Sequence, residues 1–140
     1  CLVGSEMCIR DRINQFQDAP SDAAVGKNTW VVRTAEKGEW MKLEKPLRLY
    51  KQFMIEAFVA VALVGALSFF TDFGTVYAFM ALIPIALVWK AFKMADEWMI
   101  KWNNPNADRQ KVPYELLLVN VSTIGIHFLT GILLAVAYIL

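Results

Sequence analysis

Three long apolar stretches, residues 53–70, 75–92 and 114–140, constrain the fold of this chain more than anything else in it. Each is close to the ~20 residues that carry a helix across a hydrocarbon core of ~30 Å. The first holds one charge, Glu56, near its start. The second is apolar until Lys90, and the third has no Asp, Glu, Lys or Arg after Glu115. Hydrophobic residues make up 57% of the 140 positions, more than the roughly 45–50% usual for a soluble domain. The stretches therefore read as membrane spans, and the predicted fold class is an all-α membrane protein with three transmembrane helices.

The connections refine this reading. Thr71 to Gly74 (TDFG) leaves room only for a tight turn, so the first two spans form a helical hairpin. Pro84 is predicted to bend the second span, which bilayer helices tolerate where neighbours satisfy the freed backbone groups. From Met94 to Val112 the chain is predicted to be helical through Trp102 and broken at Asn104-Pro105. Trp98 and Trp102, one turn apart, read as anchors at the membrane interface. Beyond the first twelve residues, seven Lys or Arg precede Phe53, five lie between Lys90 and Lys111, and the TDFG turn has none. The positive-inside rule then puts both basic regions in the cytoplasm and the C-terminus outside. The net charge of +1 is uninformative, but no basic run is long enough for a polyanion groove, so no nucleic-acid partner is expected.

Residues 1–12 (CLVGSEMCIRDR) resemble the translation of a sequencing adapter joined in frame to a gene fragment, and are read as a non-native scar. Both cysteines, Cys1 and Cys8, lie in it, so no disulfide or redox reading is available. The native chain is then expected to begin before Ile13, with helices that this sequence lacks. Residues 13–52 form a polar region ahead of the spans. In it Trp40, Leu43, Leu47 and Tyr50 fall near one helical face beside Lys42, Lys45 and Lys51, a pattern for a helix lying on the membrane surface, with a solvated loop as the alternative. Pro46 stands where a new helix would start.

The chemistry-bearing residues cluster between Ile13 and Arg33. Gly26 is predicted to end a helix in the left-handed cap position, with Pro20 kinking that helix or forcing a restart near Ser21. Asn14, Asp18 and Asp22 recur every four residues, which places them on one helical face with roughly 5–6 Å between neighbouring Cβ atoms. Two carboxylates so spaced suit Mg²⁺, which takes one or two protein carboxylates, keeps waters and completes its octahedron with substrate phosphate oxygens. Lys27 and Arg33 add positive charge for the same phosphates, one as a point charge and one as a planar fork. An isolated D-x-x-x-D pair is more often a solvated helix face. Here it sits beside membrane spans and is followed at once by G-K-x-T-x-V-V-R.

That combination, read at Asn14, Asp18, Asp22, Gly26, Lys27, Thr29, Val31, Val32 and Arg33, resembles the second aspartate-rich motif of the UbiA superfamily of membrane prenyltransferases. Its ending is most similar to the branch that prenylates 1,4-dihydroxy-2-naphthoate in menaquinone biosynthesis. A softer similarity to that branch lies in the last span, at Thr123, His127, Gly131, Leu133, Leu134 and Ala135. Trp30 in place of leucine and Thr34-Ala35 in place of Leu-Gly depart from the pattern. The resemblance implies that this chain is the last third of a bundle of about nine helices. It implies a multi-pass protein of the inner (cytoplasmic) membrane with the aspartate motif on the cytoplasmic side. Asp18 and Asp22 would be catalytic metal ligands for Mg²⁺, and Asn14, Lys27 and Arg33 would bind diphosphate. The reaction implied is transfer of a polyprenyl group from its diphosphate to an aromatic acceptor, with the lipid bilayer as surroundings. This piece alone would be inactive, because the opposing aspartate motif is not in it. Alternatives are transfer to 4-hydroxybenzoate, homogentisate, haem or a glycerol-phosphate lipid, or a non-enzymatic three-helix membrane subunit.

Three polar positions in the last span, Asn120, Thr123 and His127, recur at three and four. Such a stripe serves interhelical hydrogen bonding first, with substrate contact by His127 as the alternative. Glu56 either lines a cavity or reaches back to the interface.

Overall fold

A computed structural model describes residues 14–36, 41–71, 75–108 and 111–139. Residues 1–13, Trp40, the 72–74 part of the TDFG turn and Leu140 lie outside the described residues. Within them the chain is all-α, and the one β-type contact is an isolated bridge between Glu36 and Lys42. Residues 14–24 form α1 and Trp30–Thr34 form α2. They are followed by α3 (Glu44–Leu67), a 3₁₀ segment (Val76–Leu82), α4 (Ile85–Trp102), α5 (Val112–Glu115) and α6 (Leu117–Ile139). Three stretches, Glu44–Leu67, Val76–Trp102 and Val112–Ile139, are long and apolar enough to cross a membrane.

The first span differs from the sequence reading at its start. α3 begins at Glu44 instead of 53 and takes in Pro46 in its first turn, where a missing N–H costs nothing. Leu43, Leu47 and Tyr50 are buried in the common core, so they do not form the face of a separate surface helix. Their spacing continues into Met54 and Phe58, which gives one helix with one inner stripe. Pro84 does not bend an α-helix. It caps α4 and marks the change from 3₁₀ to α winding, so the ring sits where its missing donor breaks no α-helical bond. α4 ends at Trp102, as the Asn104-Pro105 pair predicts.

Packing is close where side chains are small. A Cβ on Gly65 of α3 would come within 3.0 Å of the Phe79 ring, so the hairpin partner approaches the helix through the glycine. α6 packs against both the 3₁₀ segment and α4. Between α3 and α6 the buried Tyr50 hydroxyl meets Thr123 Oγ1 at 2.5 Å, the interhelical bond that the polar stripe predicts. His127 Nδ1 lies 2.7 Å from the Thr123 carbonyl one turn back, so that stripe bonds partly within its own helix.

Polar contacts gather at one end of the bundle. Lys51 and Asp96 join α3 to α4 at 2.5 Å, Lys101 and Glu115 join α4 to α5 at 2.6 Å, and Asn103 donates to Glu44 at 3.0 Å. Trp98 and Trp102 belong to this end but are buried, at 3% and 4% exposure, and so are not interface anchors. Their rings stack at 5.6 Å, Trp98 Nε1 donates to the Val112 carbonyl at 2.7 Å and Trp102 Nε1 to the Met41 carbonyl at 3.0 Å. Both indole donors are thereby satisfied inside the protein, which is what allows the pair to be buried. Elsewhere the outward surface of the spans is mostly apolar, including Ile55, Val59, Leu63, Leu118, Val121 and Phe128, with Glu56 and Lys90 as exposed charges. So large an apolar surface is compatible with contact to a lipid bilayer and would be a liability in water.

Candidate functional site

The acidic motif lies on α1, which is anchored by its apolar face. Phe16 and Ala19 are fully buried, and the Phe16 ring meets Trp98 edge-on with centroids 6.3 Å apart. That contact fixes α1 to the polar end of the bundle. A link to α2 comes from Gln15, whose Oε1 accepts the Val31 N–H at 3.4 Å. Neither Phe16 nor Gln15 stands out in the sequence, because each matters only through a partner more than a dozen residues away.

Pro20 neither stops nor restarts α1, which is helical from 14 to 24. Only the donor to the Phe16 carbonyl is lost, and Ser21 Oγ donates to the Asp18 carbonyl at 2.8 Å. The i, i+4 relation of Asn14, Asp18 and Asp22 is therefore retained on one continuous helix. Asn14 and Asp18 are exposed, whereas Asp22 is 7% exposed.

Helix α1 closes as the glycine predicts. Gly26 has φ +73°, Lys27 N–H donates to the Asp22 carbonyl at 2.8 Å and Gly26 N–H to the Ala23 carbonyl at 3.2 Å. These are the two bonds of a Schellman cap, which folds the residue after glycine back over the last turn. As a result Lys27 Nζ reaches Asp22 Oδ1 at 3.1 Å. A carboxylate in the last turn opposes the negative end of the helix dipole, and the ammonium offsets that.

The structure thus brings together Asp22 and Lys27, one member from each half of the predicted site. Arg33 is exposed in the last turn of α2, and among the described residues neither Arg33 nor Asp18 has an ion-pair partner. Thr29 caps α2, accepting from Val32 N–H at 3.5 Å, so the β-branched run after Lys27 forms a short helical turn. Among the described residues no three His, Cys, Asp or Glu side chains converge to form a metal site. Mg²⁺ shared with phosphate makes a smaller demand than such a cluster, one or two carboxylates from the protein. No protein family, no curated protein and no solved structure matches the chain.

Proposed function

We propose that this chain is the C-terminal part of a UbiA-type prenyltransferase of the inner (cytoplasmic) membrane. The reaction is transfer of a polyprenyl group from its diphosphate to an aromatic acceptor, 1,4-dihydroxy-2-naphthoate in menaquinone biosynthesis. The observation that carries the reading is the run from Asn14 to Arg33, in which a continuous acidic helix is followed directly by a basic turn beside three apolar spans. Asp18 and Asp22 would hold Mg²⁺, which supplies charge for the departing diphosphate. Lys27 and Arg33 contribute further positive charge to the same oxygens, and Asn14 donates from its amide.

The Asp22–Lys27 pair gives this assignment a specific form. In the absence of diphosphate the ammonium neutralises the carboxylate. With a divalent ion bound, Asp22 would be one of its ligands and Lys27 would be free to turn to a phosphate oxygen, so neither charge would be left bare.

The test begins with the upstream gene. Read back through residues 1–12, it should encode about six further hydrophobic segments and a second N-x-x-x-D-x-x-x-D motif. A gene that lacks both refutes the reading. The full-length product, in membranes with Mg²⁺ and a polyprenyl diphosphate, is then offered naphthoate, 4-hydroxybenzoate and homogentisate in parallel. Naphthoate should be the acceptor prenylated, and prenylation of another one alone would reassign the branch.

A further inference from the structure

A second charged site lies at the start of α3, away from the aspartate motif. Glu36, Lys42, Glu44, Lys45 and Arg48 line an open cleft of about 370 Å³. Its two carboxylates are already engaged. Glu36 faces Lys42 at 3.9 Å, and Glu44 accepts the Asn103 amide at 3.0 Å. Lys45 and Arg48 are exposed and pair with no described carboxylate. They stand three residues apart, on the same side of the helix.

The level of the cleft follows from helix length. α3 has 24 residues and so is about 36 Å long, whereas the hydrocarbon core is ~30 Å thick. Its first turn therefore projects to the phosphate level of a bilayer, and Arg48, one turn further in, can extend its guanidinium back to that level. Directly along the helix from Lys45 and Arg48, the outward face continues with Ile55, Val59 and Leu63, all exposed. Cations at headgroup depth thus stand above an apolar strip on one helix face. Glu56, which accepts from Gln52 at 2.8 Å, flanks that strip about two turns below Arg48.

We propose that this cleft binds the headgroup of an anionic phospholipid, with Lys45 and Arg48 on the phosphate and the acyl chains against Ile55, Val59 and Leu63. Basic pockets at the ends of membrane helices bind such headgroups by this chemistry. Free phosphate offers the same charge but nothing to occupy the apolar strip, and the strip is what assigns the site to a lipid. The proposal needs α3 to cross a bilayer with Ile55, Val59 and Leu63 facing lipid, and involves no step of prenyl transfer.

The 140-residue chain, purified in detergent and stripped of lipid, is titrated with phosphatidylglycerol or phosphatidylcholine of the same acyl chains, and bound lipid is counted by native mass spectrometry. Phosphatidylglycerol should bind about tenfold more tightly. Lys45→Gln with Arg48→Gln should remove that preference, and Lys45→Arg with Arg48→Lys should keep it. Lys93→Gln removes an exposed cation from α4 and should change binding by less than about twofold. Equal binding of the two lipids would overturn the proposal. So would a Lys93→Gln loss as large as that of the double variant.

Discussion

Replacing Thr123 by valine keeps the branched shape and removes one hydroxyl from the buried contact between α3 and α6. Thr123 Oγ1 donates to the Val119 carbonyl at 2.8 Å, so its only proton is committed and the Tyr50 hydroxyl, 2.5 Å away, must be the donor between the helices. Both residues are buried, Tyr50 to 1% exposure and Thr123 to 0%. Tyr50→Phe deletes the donor and leaves Thr123 with its helical bond, a loss of about 0.5–1.5 kcal/mol. Thr123→Val instead strands a buried phenol, which costs about 1–3 kcal/mol. The double variant removes the stranded group as well, so it should be more stable than Thr123→Val alone. Interhelical bonds in membranes have measured at about 0.6 and up to about 1.7 kcal/mol, which sets the scale of the coupling. Unfolding from mixed micelles into dodecyl sulfate, followed by the fluorescence of the stacked Trp98 and Trp102, reads all three variants. A double variant as unstable as the sum of the singles, or Tyr50→Phe worse than Thr123→Val, would refute the assignment of donor and acceptor.

Other variants probe the remaining contacts. Gly26→Ala forces a side chain into φ +73° and should loosen the end of α1 by about 1 kcal/mol, seen as faster amide exchange at Lys27. Trp98→Phe keeps the ring contact with Phe16 but leaves the Val112 carbonyl without its side-chain donor, lowering stability by about 1 kcal/mol in micelle unfolding followed by circular dichroism. Gly65→Leu drives a branched side chain into the Phe79 ring and should cost about 1–3 kcal/mol, whereas the same change at Gly125, which has open space, should cost less than 1 kcal/mol.

What could be read from the sequence follows the range of each interaction. The three spans are local properties of composition, and all three occur. Gly26 is legible for the same reason, because a helix ending on glycine needs no distant partner. The boundary at residue 53 was not legible, since the inward face of Leu43, Leu47 and Tyr50 depends on α4 and α6 being there to cover them. Trp98 and Trp102 resemble interface anchors by type and spacing. Contacts from Phe16, Met41 and Val112, distant along the chain, help to make them interior. At the candidate site, the residues that hold α1 in place were hidden in the same way. The pairing of Asp22 with Lys27 was hidden differently, because it spans five positions and exists only once the glycine turn folds the chain back.

The central claim is that Asp18 and Asp22 hold the metal of a diphosphate clamp. It is tested most directly by Mg²⁺-dependent prenyl transfer to radiolabelled naphthoate, with the full-length enzyme carrying Asp18→Ala and Asp22→Ala. Transfer should fall by about 10²-fold or more at unchanged membrane expression. Undiminished transfer by that double variant would contradict the account.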